Sequence, residues 1–229
     1  MTPRKVALPA AAGALCFAFT CAGAPMASAQ SETSTSTSEP TARAAQKPRI
    51  KVRHRTLNVR SGRRATVFGR VSPAVRGLRI GLQVKRGSRW KGIEGDRTDA
   101  RGRYRLRQRL RGTLSRHVRV RVRQAPGFLP ARRRIGRLNV YRYAQASWYG
   151  PGLYGNPTGC GGTLHPGRLG VAHKSLPCGT KVTFRHRGRR VRVPVIDRGP
   201  YVGGREYDLT EATAQRLRFR GHGAILTTR

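Results

Sequence analysis

Asp197-Arg198-Gly199-Pro200-Tyr201, followed by Gly203-Gly204-Arg205-Glu206-Tyr207-Asp208-Leu209-Thr210, is the stretch on which the fold of this sequence is decided. Before it, residues 190–196 alternate basic and apolar side chains and read as a strand that runs into Asp197. The Gly-Pro step ends that strand in a tight turn and lifts the aspartate to its rim. After it, residues 212–217 form the single credible helix, with Asp208 and Glu211 at the spacing of a capping box. Outward from there, residues 181–185 and 223–228 read as strands, separated from the rest by Gly-rich loops. Short strands, Gly-rich connections and one helix predict a small all-β barrel over residues 144–229.

The motifs around this core occur in a defined order. Ala146-Ser147-Trp148-Tyr149-Gly150 opens the segment, Thr158-Gly159-Cys160-Gly161-Gly162-Thr163 follows, then Ala172-His173 and Leu176-Pro177-Cys178-Gly179-Thr180. Over residues 146–229 this text resembles the rare lipoprotein A family. The resemblance implies a six-stranded double-psi β-barrel, shared more distantly with expansins and barwin-like proteins, and action on peptidoglycan as a lytic transglycosylase. The stretch around Cys160-Gly161-Gly162 leans toward the expansin-like relatives, which loosen walls without hydrolysis.

Glycosidic cleavage needs a proton donor, normally a carboxylic acid. The acids of residues 144–229 are Asp197, Glu206, Asp208 and Glu211. The capping-box spacing gives Asp208 and Glu211 a structural reading, and Asp197 and Glu206 remain, Glu206 in a basic loop where it can also be a surface charge. The resemblance implies that Asp197 is the catalytic aspartate. It also implies a functional histidine at His173. Thr158 and Tyr201 offer hydrogen bonds to sugar hydroxyls, and Trp148 or Tyr149 a stacking face. One departure stands out: where lytic members of the family carry a glutamate, this sequence reads Gly161-Gly162-Thr163. Two readings follow, an enzyme cutting glycan strands with Asp197 as acid and then base, and a module that grips glycan without cutting.

The remaining text is of another kind. Arg4 and Lys5, an apolar run and Ala27-Ser28-Ala29 predict a signal peptide over residues 1–29. Removing it leaves Cys160 and Cys178 of the four cysteines, and an even pair in an exported chain reads as a disulfide rather than a metal site. No metal or cofactor is expected. Residues 30–48, rich in Ser, Thr and Ala, read as a disordered linker. Residues 49–143 alternate apolar and basic positions in about seven short segments and predict an immunoglobulin-like β-sandwich, a spacer or adhesion module; there Trp90 and Tyr104 read as packing residues. The chain carries 48 basic against 9 acidic residues, a net charge of +39. Such a surface seeks polyanions. Export directs it to peptidoglycan and anionic wall polymers, not to nucleic acid, and after cleavage not to membrane.

Overall fold

The computed structural model describes residues 44–229, so the expected signal peptide and most of the expected linker lie outside the described residues. Where the linker reading overlaps them, Gln46 is tied down: its N–H donates to the Gly127 carbonyl at 3.0 Å and its own carbonyl accepts from Leu129 at 2.9 Å.

Seven strands come first. β1 (Arg49–Thr56), β3 (Arg64–Ser72) and β6 (Arg103–Arg109) make one antiparallel sheet in the order β1-β3-β6. β4 (Arg79–Arg86), β5 (Arg89–Arg97) and β7 (Leu114–Val122) join the start of the long β8 (Ala131–Tyr149) in the order β5-β4-β7-β8. The short β2 (Asn58–Arg60) runs parallel to β8. Strand alternation dictates which side chains go inside. On β7, Val118, Val120 and Val122 are fully buried, while Arg121 points to solvent and Arg119 lies over the Trp90 ring at 4.2 Å. Val67, Val71, Leu82, Tyr104, Leu106, Leu138 and Val140 complete a core that both sheets share.

β8 is the element on which the molecule is organised. Its first half pairs with β7 through Val140, and its second half, from Arg142, pairs with strands of the C-terminal half. The expected boundary at 143/144 therefore falls within one continuous strand. Across the same seam Asn58 Oδ1 accepts hydrogen bonds from Asn139 and from Arg190, each at 2.8 Å, and from the Tyr141 hydroxyl at 3.2 Å.

The C-terminal half closes on itself. It contains β9 (Val171–Ala172), β10 (Lys181–His186), β11 (Arg189–Asp197), β12 (Tyr207–Thr210), the helix α1 (Glu211–Leu217) and β13 (Gly223–Thr227). β12 pairs with β9, β9 with β11, β11 with β10, β10 with β13 and β13 with β8. A parallel pairing of β12 with residues 146–149 of β8 completes a ring of six strands with no free edge. Phe184, Tyr207, Leu209, Leu217, Ile225 and four valines fill it. The all-β expectation and the barrel hold.

The capping box does not form. Pairing with β8 and β9 carries the strand on through Thr210, so the helix begins at Glu211 with Thr210 as an N-cap that makes no side-chain cap bond. Thr210 and Thr213 instead turn their hydroxyls to the Gly170 backbone. Asp208 is thereby a strand residue, and its side chain goes to the barrel rim.

Candidate functional site

The end of β11 lies against the loop of residues 156–164 at one rim of the barrel. Between them is a groove of about 320 Å³, lined in part by Tyr149, Thr158, Asp197, Tyr201, Arg205 and Asp208. Asp197 Oδ1 accepts two backbone hydrogen bonds, from Gly159 at 2.7 Å and from Arg198 at 2.8 Å. Oδ2 accepts none among the described residues, so it is the carboxylate atom left to meet a ligand. Gly159 is required by this approach: a Cβ there would stand 2.9 Å from Arg198 Cγ and 3.1 Å from Asp197 Oδ1.

The Arg198 guanidinium does not pair with Asp197. It turns away to donate to the carbonyls of His173 at 3.2 Å and Leu176 at 2.9 Å, and to Cys178 Sγ at 3.0 Å. That clamp works together with the disulfide. Cys160 and Cys178 are bonded, with Cα atoms 5.5 Å apart, as the cysteine count predicts. The bridge therefore anchors the loop whose Gly159 N–H holds the Asp197 carboxylate.

Asp208 is the functional candidate that sequence reasoning missed. Its Oδ1 accepts from the buried Ser147 hydroxyl at 2.8 Å. Burial pushes its carboxyl above the usual carboxylate range, and the neighbouring negative charge of Asp197 adds to the rise against the pull of Ser147 and Arg205. The signal was the alternation Tyr207-Asp208-Leu209, in which two fully buried side chains leave the aspartate on the opposite face. Tyr149 joins the two acids. Its buried hydroxyl makes no hydrogen bond of good geometry, yet lies close enough to Asp197 to interact with its carboxylate; burial, then Asp197, then Asp208 drive its pKa far up. A buried phenol held protonated beside two carboxylates is a proton donor for which Asp197 is the nearest acceptor the electrostatics names.

The other expected residues separate. Tyr201 is 80% exposed at the rim, next to Leu153 and Val202, and presents an open aromatic face. Thr158 is buried and spends its hydroxyl proton on the Gly161 carbonyl at 2.8 Å, so it shapes the loop. Trp148 points the other way from Tyr149, as adjacent strand residues must. It lines a larger groove beside α1, with Gln215 and His222. His173 is not among the groove's lining residues. Its Nδ1 accepts from the backbone of Ser175 at 3.1 Å and Leu176 at 3.0 Å, which leaves the proton on Nε2, 3.9 Å from Glu206 Oε1. Burial depresses its pKa, against the pull of Glu206, and its ring packs at a tilt against Tyr207, centroids 5.0 Å apart.

Glu206 is not a loose surface charge. Arg142 forks onto both of its oxygens, one at 2.8 Å. Burial works to raise its carboxyl, but Arg142 outweighs burial and holds it below the usual range. The loop position where a second acid was expected, residues 161–163, is closed by Arg168, which donates to the Gly161 and Thr163 carbonyls.

Asp208 yields a stability signature. A carboxyl whose folded pKa is raised costs nothing below its unfolded value of 3.8 and destabilises progressively as pH rises through the folded value. Asp208→Asn removes that cost while keeping an acceptor for Ser147. Its melting temperature should exceed the parent's near pH 7, with the gain vanishing near pH 4. A gain that does not depend on pH would contradict the burial argument.

Residues 142–227 match the family model described as "Lytic transglycolase". The chain is 38% identical over 106 residues to the probable endolytic peptidoglycan transglycosylase RlpA of Synechocystis sp., covering 42% of this chain and 33% of that protein. It is 46% identical over 74 residues to the endolytic peptidoglycan transglycosylase RlpA of Campylobacter jejuni, covering 31% of this chain and 27% of that one. It thus spans about a third of the length of these relatives. The solved structure of the Streptomyces papain inhibitor aligns with 94% of its own chain and 39% of this one, at 22% identity and a TM-score of 0.30, an overlap too low to carry an argument. The resemblance to the rare lipoprotein A family holds for a C-terminal segment, which the family model matches over residues 142–227.

Proposed function

We propose that the chain is exported to the cell wall and that the Asp197 groove cleaves peptidoglycan glycan strands in a lytic transglycosylase-like reaction. The observation that carries this reading is the convergence of Asp197, Asp208 and the unpartnered Tyr149 hydroxyl on one groove with an exposed aromatic rim. Tyr201 stacks on a sugar ring and Arg205 faces the acidic groups of the strand. Asp208 is the proton reservoir of the groove, because burial favours its neutral form. That proton passes by way of the Tyr149 hydroxyl to Asp197 Oδ2, and from there to the leaving glycosidic oxygen. The C6 hydroxyl of the same sugar then attacks C1, and its proton returns to the ionised pair. No water is consumed, and the cut strand ends in an anhydro sugar. His173, set apart from the groove, acts by positioning the strand that leads to Asp197: its backbone N–H donates to the Asp197 carbonyl at 3.2 Å.

Arg168 sealing the 161–163 loop favours a second reading, in which the groove grips glycan without cutting it. Incubating residues 30–229 with purified peptidoglycan separates the two. Release of soluble glycan fragments is the expected result; saturable binding with no release supports the gripping module.

A further inference from the structure

We propose that the cleft where the two halves of the molecule meet is a binding site for the phosphate groups of an anionic polymer. The cleft, of about 270 Å³, is lined by Lys85 and Gly87 from the β4–β5 hairpin, Ser115 to His117 of β7, Arg137 of β8, Lys181 of β10, Arg192 of β11, and Arg229. Six of these side chains are cationic, and no Asp or Glu side chain is among them. Four other grooves of this basic molecule differ. Those around Asp96, Asp197 and Glu211 each hold at least one carboxylate. Here no acidic side chain lines the cleft to pair with the six cationic ones.

The geometry within the cleft is prepared for an acceptor. Arg137 donates to the Ser115 carbonyl at 3.1 Å and its other terminal nitrogen lies 2.7 Å from His117 Nε2. A guanidinium only donates, so His117 Nε2 accepts there and the neutral ring carries its proton on Nδ1. Burial, then Arg137, Lys85, Arg134 and Arg192, hold the ring in that uncharged state. The cations also continue beyond the cleft. In the β7–β8 register Arg119 stands opposite Arg134 and Arg121 opposite Arg132, like-charge pairs that a sheet tolerates poorly without counterions. A row of cations running out of a cleft fits a repeating anion better than a single small one. Guanidinium forks take carboxylate and phosphate oxygens alike two at a time, and a polymer with one phosphate in every repeat supplies the evenly spaced anions that such a row of cations can meet. The wall-directed reading supplies only the source of the polymer. The cleft's chemistry is independent of Asp197, and a failure of cleavage leaves it standing.

The site spans both halves, which places its ligand on the seam that β8, Asn58 and the Ser115–Thr183 contact at 3.3 Å hold in register. The test uses residues 30–229 with two probes, tripolyphosphate and a short poly(glycerol phosphate), at fixed ionic strength. Nuclear magnetic resonance should show saturable shifts at the His117 ring and at Arg116. Each lost charge-assisted contact is worth about tenfold in affinity, so Arg116→Gln with Arg192→Gln should weaken binding roughly a hundredfold. Both residues are exposed, and neither supports the core. Arg64→Gln with Arg107→Gln, two exposed arginines of the β1-β3-β6 sheet, removes the same charge and should change affinity by less than about threefold. Equal losses in the two double variants, or the largest shifts appearing away from β7, would overturn the proposal. Tight binding of tripolyphosphate with none of the polymer would overturn its assignment to a polymer.

Discussion

Asp197→Asn is expected to lower glycan-strand cleavage by about 10²–10⁴-fold, because general acid–base catalysis supplies on that order of rate. The substitution is conservative where structure depends on it. Asn retains an oxygen to accept the Gly159 and Arg198 N–H groups, so the turn at the end of β11 should keep its shape. What it removes is the oxygen that gives and takes the proton. Affinity for peptidoglycan should therefore persist, carried by the Tyr201 rim and by the basic surface, and the loss should fall on turnover. Melting temperature, binding and product release measured on the same samples distinguish this from a folding defect. Unchanged release by a stable Asp197→Asn protein would leave Asp208 as the acid of the groove.

Breaking the disulfide is expected to cost about 3 kcal/mol, the chain-entropy value for a loop of this size, the two cysteines being 18 residues apart. The activity should fall further than the stability alone requires. Cys160 follows Gly159, whose N–H holds Asp197, and Cys178 Sγ accepts from the guanidinium that leaves Asp197 free of an ion pair. Cys160→Ser with Cys178→Ser, followed by denaturant unfolding and peptidoglycan release, checks both effects. A loss below about 0.5 kcal/mol would show that loop closure contributes little here.

The barrel was legible because its strands carry their own punctuation. Residues 190–196 end at a Gly-Pro turn, and the structure continues β11 only to Asp197. The valine–arginine alternation of β7 likewise identified its buried face. What the text concealed was long-range pairing. Nothing in Tyr143-Ala144 marks a strand that runs on past both residues, because composition changes there while the backbone ladder does not. Asp208 was hidden for the same reason: its spacing to Glu211 satisfies a helix cap, and only the pairing of β12 with β8 and β9 prevents it. Trp148 and Tyr149 are neighbours in sequence, and the pleat sends them to different grooves.

The proposed cut uses the sugar's own hydroxyl instead of water. Digesting peptidoglycan in heavy-oxygen water and weighing the released fragments by mass spectrometry tests this directly. Anhydro-ended fragments carrying no solvent oxygen are predicted, absent with Asp197→Asn. Reducing ends that have gained one heavy oxygen per cut would mean hydrolysis, and would contradict the proposed chemistry of Asp197 and Asp208.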